Sequence, residues 1–288
     1  MQMNLPERID RASYSETESF NMCERRHYYS YGEKIQGKGI TEPLARGAIG
    51  HQILAIYYEA RKRGVDHKQA VVEASSHLWG LVNELDLFDP IKFGTDLSVL
   101  LSDYFEVYAD DDIEILEVEV AYDVQLTDDF TIPVVLDLIA RIPGRGVFVI
   151  DHKFTYDFYD VDKLDLSPQL PLYMAALFGL NIHVDGIMYN ELRTRETKVN
   201  KQLVEQKFRR TPLIITPNKI TIIMREQMMA ARRIGQLKSM SLDEWEKSVL
   251  RNHMACRLCP FTTVCVADLE DRDSQLVRDS FYEPRIRR

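Results

Sequence analysis

The placement of the cysteines constrains this chain more than any other feature. Its 288 residues hold four cysteines, and three of them, Cys256, Cys259 and Cys265, fall within "CRLCPFTTVC"; the fourth is Cys23. If all four serve one site, the fold must close its N-terminal segment onto its C-terminal one. Four thiolates suit either a zinc ion or an iron-sulfur cluster. Zinc ribbons usually bring two close Cys-x2-Cys pairs, and only one such pair, Cys256 with Cys259, is present. Four ordinary buried thiols, packing as small hydrophobes, explain the spacing poorly.

The rest of the composition narrows the setting. Hydrophobic content of 45% and charged content of 28% are those of a soluble globular protein. The first twenty residues have neither a basic flank nor an apolar core, and no apolar run is long enough for a membrane span. The expectation is a cytoplasmic protein without a membrane partner, in whose reducing surroundings cysteines are metal ligands or free thiols rather than disulfides. A net charge of −9 argues against nucleic-acid binding through bulk positive charge. It leaves room for a local basic surface, and Arg193, Arg195, Lys198, Arg209 and Arg210 are the candidates, although a solvated face is the plainer account of any one charge run.

With no internal repeat or long linker, residues 1–288 are expected to form a single domain. A helical part is expected over 13–110, an α/β core over 111–215 and a helical, cysteine-bearing segment over 216–288. "SETESFNMCERRHYYSY" carries Ser15 and Glu18 in capping-box spacing, which predicts a helix that includes Cys23. "RGAIGHQILAIYYEARKRG" predicts a second helix with Ile49, Ile53, Ile56, Tyr57 and Ala60 inward, stopped by Gly64; residues 66–88 and 97–109 also read as helical. The period then changes. "IEILEVEVAYDVQL", "FTIPVVLDLIARI" and "VFVIDHK" read as three successive strands, with a turn at Gly144 to Gly146 between the last two. A helix with Ser167 as N-cap and Pro168 at its first position, a strand in "HVDGIMYNEL" and a long helix from Asn218 complete an α/β fold with a mixed sheet.

That turn would lay Asp137 beside Asp151, and Lys153, two residues on, would share the Asp151 side of its strand. Two carboxylates and an ammonium on one sheet face suit a hard divalent cation such as Mg2+. Taken alone, the pattern is more often a strand-end aspartate and an exposed ion pair. His51, in "GAIGHQIL", offers an imidazole to the same ion or is packed in the core. Gln169 and Tyr173 are four apart and share a helix face just after the Asp-x-Lys strand, where simple helix packing would account for them equally.

Taken in order, "SYSETESFNMCERRHYY", "GAIGHQIL", "LDLIAR", "DHK", "QLPLY" and "CRLCPFTTVC" resemble the RecB-like branch of the PD-(D/E)XK nucleases in its iron-sulfur form. That group includes CRISPR-associated exonucleases, AddB-type nuclease subunits and phage-encoded relatives. The resemblance runs from residue 13 to residue 265 and rests on six motifs in order, none specific by itself. It implies a restriction-endonuclease-like fold, with a mixed central sheet flanked by helices, a helical N-terminal insertion and an iron-sulfur clasp between the chain ends. It assigns His51, Asp137, Asp151 and the backbone carbonyl of His152 as ligands for Mg2+ or Mn2+, and Lys153 as the catalytic lysine. Gln169 and Tyr173 would support the site and contact the DNA backbone. Cys23, Cys256, Cys259 and Cys265 would hold a 4Fe-4S cluster. Three positions depart from the pattern: His152 stands where an aromatic is common, Pro171 interrupts the Gln-Tyr motif, and Glu24 rather than proline follows Cys23.

The activity implied is metal-dependent hydrolysis of DNA, exonucleolytic on single strands or ends, in recombination, repair, replication or spacer acquisition. No Gly-x4-Gly-Lys-[Ser/Thr] motif is present, so unwinding would belong to a partner such as a helicase; a recombinase or a spacer-acquisition protein are the other partners the resemblance implies. The alternatives are a nuclease-fold assembly subunit that needs a partner for activity, and a zinc-stapled DNA-binding protein without catalysis.

Overall fold

In the computed structural model, residues 10–127, 130–195, 198–199, 202–203 and 206–285 are described. Strand β1 (Asp10–Arg11) precedes helices α1 (Tyr14–Met22) and α2 (Glu24–His27), a π-helical turn at Tyr28–Gly32 and strand β2 (Ile35–Gly37). Helices α3 (Glu42–Lys62), α4 (His67–Ser76), α5 (Leu78–Asn83) and α6 (Pro90–Val107) follow. Next come strands β3 (Glu114–Thr127), β4 (Phe130–Ile142) and β5 (Gly146–Thr155), helices α7 (Val161–Asp165) and α8 (Gln169–Gly179), and strand β6 (Gly186–Arg193). After the short β7 (Lys198–Val199) and β8 (Gln202–Leu203) lie β9 (Phe208–Leu213), α9 (Pro217–Lys238), α10 (Leu242–Lys247), a 3-10 turn at His253–Leu258, α11 (Thr262–Leu269), α12 (Ser274–Phe281) and β10 (Tyr282–Pro284). The mixed α/β class and the three-strand run expected from the sequence are present. Among the described residues no helix is long and apolar enough to cross a membrane.

The main sheet runs β1-β4-β5-β6-β9, with β3 also paired to β4. β4 and β5 are antiparallel, joined by the expected turn, with Ile142 opposite Gly146 and Leu138 opposite Ile150. β5 and β6 are parallel, as a crossover through α7 and α8 requires, and β9 returns antiparallel to β6. Gly146 is needed at that turn: its φ is 104°, and an added Cβ would meet Asp185, whose carboxylate accepts the Val147 N–H at 2.7 Å.

The chain divides into two units that alternate along the sequence, one of 40–122 and 135–220 and the other of 1–39, 123–134 and 221–288. In the first, α3, α4, α5 and α6 pack with β4, β5 and β6 around a core that includes Ile53, Leu54, Leu97, Phe105, Leu138 and Ile150. Each such side chain contributes about 1.5–3 kcal/mol when fully buried. In the second, the first and last described segments meet. β10 pairs with β2, placing Tyr282 opposite Gly37. Arg278 donates to both Glu33 and Asp268, and the Tyr29 hydroxyl donates to Asp268 at 2.7 Å.

Two local expectations are corrected. Ser13, not Ser15, caps α1, its hydroxyl accepting the Glu16 N–H at 3.2 Å. Cys23 is not within a helix: its φ of −167° makes an extended break between α1 and α2. That break turns the chain so that the Cys23 sulfur meets the Asn252 N–H at 3.5 Å.

Candidate active site

The hairpin of β4 and β5 brings the two acids together. The β4–β5 ladder runs to Leu138 opposite Ile150, Asp137 and Asp151 are the next residues on the two strands, and the His152 N–H donates to Asp137 Oδ2 at 2.7 Å. Asp151 is 2% exposed. Lys153 Nζ lies 2.8 Å from Asp151 Oδ2, an ion-pair distance at an angle that leaves this buried oxygen without a hydrogen bond. The ammonium also donates to Gln169 Oε1 at 3.3 Å. Because lysine cannot accept, that contact turns the Gln169 amide nitrogen toward Tyr173, where it donates to the hydroxyl at 2.6 Å. The expected Gln-Tyr helix face is therefore attached to the lysine; α8 starts at Gln169, and its cap residue is Pro168, not Ser167, with no side-chain cap.

His51 arrives from α3. Its Nδ1 is 3.4 Å from Asp137 Oδ2, and its ring lies 5.8 Å from that of Phe154. The helix comes this close because residue 50 is glycine: an added Cβ would stand 2.1 Å from the Phe154 ring. A further residue, Glu119 of β3, was not foreseen from the sequence. Ligand atoms of His51, Glu119 and Asp137 all lie within 4.8 Å of one another. Glu119 has φ 45°, and a left-handed residue inside a strand breaks the alternation of its side chains. In "EILEVEVAYD" it looks like one of several solvent-facing glutamates, and nothing in one sequence marks a non-glycine residue for that backbone region.

The electrostatics of the group are those of a site built for a cation. Burial pushes Asp137 up, but His51, His152 and Lys153 outweigh it and hold the carboxyl below its usual range. Asp151 goes the other way: burial, joined by repulsion from Asp137, overrides Lys153 and raises its carboxyl. Burial and the Asp137 charge push Glu119 to about 7. Burial works against the charge of Lys153, yet Asp151 and Asp137 hold it well above its usual value, so it is an ammonium at neutral pH. His51 is likewise raised, burial being outweighed by Asp137. Glu119 and Asp137 gathered with an imidazole, and beside them the buried Asp151 Oδ2 that lacks a hydrogen bond, make an oxygen-rich donor set that fits Mg2+ or Mn2+.

The basic residues fare differently. Arg209 pairs with the fully buried Glu191, and Arg210 with Asp111. Arg193 is buried with its guanidinium over Phe158, and Arg195 pairs with Asp157 at 3.0 Å. Arg193, Arg209 and Arg210 thus serve internal contacts rather than an open basic surface. The side chain of Lys198 lies outside the described residues.

In the other unit, Cys23, Cys256, Cys259 and Cys265 line a single cavity of about 230 Å3, together with Arg25, Arg26 and Arg251. Burial pushes the thiols of Cys259 and Cys265 up. Among the described residues, no trio that includes a cysteine brings its ligand atoms within 4.8 Å of one another.

A search of the curated proteins finds no match. Among solved structures, the protein SSO0001 is 11% identical with a TM-score of 0.37, and the match covers 91% of this chain and 89% of that one. An exonuclease candidate from Eubacterium rectale is 12% identical with a TM-score of 0.46, over 90% of this chain and 91% of the other. The family model of the PD-(D/E)XK nuclease superfamily matches residues 11–266. That span contains both acids, the lysine and the histidine whose geometry is given above, and the chain belongs to the PD-(D/E)XK nuclease superfamily.

Proposed function

We infer that this nuclease is a Mg2+- or Mn2+-dependent deoxyribonuclease of the RecB-like, iron-sulfur branch, acting as an exonuclease on single strands or DNA ends. The observation that carries the reading is the convergence of Asp137, Asp151, Lys153 and His51, with Lys153 joined to Gln169 and Tyr173. His51, Asp137, Asp151 and the main-chain carbonyl of His152 would hold the cation, with Glu119 as a further carboxylate. When bound, the cation supplies Lewis acidity at the scissile phosphate. Lys153, protonated and fixed between Asp151 and Gln169, acts as a hydrogen-bond donor that orients the attacking water or stabilises negative charge on a phosphate oxygen. Gln169 and Tyr173 hold its position. Arg195 and Lys198 remain the candidates for contact with the DNA backbone.

We read the four thiols as ligands of one iron-sulfur cluster rather than of a zinc ion. Tetrahedral zinc would hold its sulfurs about 3.8 Å apart, given Zn–S bonds near 2.3 Å; among the described residues no cysteine trio lies within 4.8 Å. All four nevertheless line one cavity, as a 4Fe-4S cluster needs. Its role would be structural, joining segments that already meet through β2 and β10.

The test is labelled single-stranded DNA incubated anaerobically with Mn2+ and wild type, Asp151→Ala or Lys153→Ala, using 5′- and 3′-labelled strands. Wild type is expected to shorten the strand from one end, with each variant slower by at least about a hundredfold. If all three leave the DNA intact while binding it, the reading as a partner-dependent or non-catalytic subunit takes its place. Iron and sulfide analysis of the same preparation tests the cluster, and stoichiometric zinc without iron would exclude it.

A further inference from the structure

His152 stands between the acid and the lysine, and by strand alternation its side chain leaves on the opposite face. There the sheet register sets three residues of adjacent strands in one row, His152 of β5, Asn190 of β6 and Arg210 of β9. His152 and Asn190 are buried, and the ring of Tyr58 stacks on the imidazole with centroids 5.5 Å apart and planes 6° from parallel. Tyr104 of α6 completes the group.

The hydrogens that face His152 and Asn190 can be placed. Arginine has no acceptor, so the Asn190 oxygen faces it and accepts from Arg210 Nε at 3.3 Å. The Asn190 amide nitrogen then spends one hydrogen on the Tyr104 hydroxyl, at 2.9 Å, and the other on His152 Nδ1, at 2.7 Å. Nδ1 must therefore accept, and the His152 proton sits on Nε2, a buried nitrogen without a hydrogen-bond partner among the described residues, so the Asn190 contact alone decides the tautomer. The Tyr104 oxygen takes hydrogens from Asn190 and from Arg210, the latter at 3.3 Å, so its own proton goes to Tyr58 at 2.7 Å. Asp111 anchors the far end of the guanidinium.

We propose that Asn190, oriented by Arg210, is a positioning residue for the hydrolytic site: it fixes the tautomer and ring plane of His152 and thereby the main chain that sets Asp151 against Lys153. The inference rests on the nuclease reading above. The lever is short, because the His152 N–H is itself the group that donates to Asp137 Oδ2 at 2.7 Å. A ring that loses its seat between Tyr58 and Asn190 has to repack, and the backbone that carries it is the one whose N–H holds Asp137; displacements near 1 Å at such a site cost about a hundredfold in rate.

The test uses the full-length protein with 15N-labelled histidine. Long-range 15N–1H correlation in wild type, assigned with His152→Gln, is expected to show the Nε2-protonated tautomer. Asn190→Asp removes the donor and should move a proton to Nδ1, while kcat on single-stranded DNA falls about 10- to 100-fold and KM for DNA stays within about threefold. Combined with His152→Phe, the same substitution should add little further loss, because the ring no longer needs orienting. A wild-type Nδ1–H signature, an undiminished kcat in Asn190→Asp, or an equal loss in the His152→Phe background would each overturn the proposal. If wild type has no nuclease activity, the hydrolytic reading fails separately. Mn2+ affinity of the same variants, followed by electron paramagnetic resonance, then decides: an unchanged value in Asn190→Asp refutes the positioning role.

Discussion

Glu119 and Lys153 serve the same group of acids in opposite ways. Lys153 neutralises charge, and its partners Asp151 and Gln169 are on the page of the sequence as a strand-end triplet and a helix motif. Glu119 adds charge, and does so from a left-handed backbone that costs a non-glycine residue about 1–2 kcal/mol. The two contributions of Glu119 can be separated. Glu119→Gly should raise thermal stability, because glycine takes that conformation freely, while weakening Mn2+ binding by at least about tenfold. Thermal melts and Mn2+ titration of one preparation check both signs, and a loss of both would make Glu119 a packing residue instead. Asp137, Asp151 and Lys153 were legible because strand alternation and one turn fix their side. Glu119 was not, since a single backbone angle set its direction. Arg209 and Arg210 were misjudged for a different reason: Glu191 and Asp111, which hold them, are distant in sequence and carry no pattern.

Helix α3 and strand β5 together fix where the imidazole of His51 can be. Their closest approach is Gly50 over Phe154, one residue from His51. Gly50→Ala forces the ring or the helix to move, at a cost of about 1–3 kcal/mol, and should lower both the melting temperature and Mn2+ affinity. Phe154→Leu, which makes room, is expected to restore most of the binding. A Gly50→Ala protein that melts lower yet binds Mn2+ normally would show that α3 has no part in setting the site. At this scale the sequence was informative: β-branched runs gave β3, β4 and β5, and apolar spacing gave α3 with Ile49, Ile53 and Tyr57 inward. Capping was less so, because "SYSETE" offers two serines and only the fold decides that Ser13 rather than Ser15 meets the helix start.

For the whole molecule, the cysteine-bearing unit carries a built-in acid sensitivity. Burial lowers the pKa of His27 from 6.5, with Glu16 only partly opposing it, and the Nε2–H donates to Glu16 at 3.2 Å as a neutral group. Glu16 is itself lowered from 4.5, burial being outweighed by His27 and Lys238. In both cases the unfolded chain takes up protons first, so the stabilisation is complete above about pH 6.5 and is lost as pH falls through the folded values. The difference in melting temperature between wild type and His27→Gln isolates this group, because the raised groups of the other unit are common to both proteins; it should be level above pH 7 and shift against wild type as pH falls from 6.5. Cys259→Ala is expected to lower the melting temperature by several degrees while kcat at low temperature is retained, since the cavity and the acids belong to different units. A fully stable but inactive Cys259→Ala protein would contradict that division.

The alternation of the two units along the chain also fixes an order in time. Every residue of the hydrolytic unit has been synthesised by position 220, whereas the unit with the cysteines still awaits everything from 221 onward. At about 5–20 residues per second, Cys23 leaves the ribosome roughly 10 to 50 s before Cys256 exists. For that interval Cys23 is in the chain without any of the other three cysteines. The acids of one unit are in hand before the other unit is complete, so a chain that stops at position 220 carries Asp137, Asp151 and Lys153 without Cys256, Cys259 and Cys265.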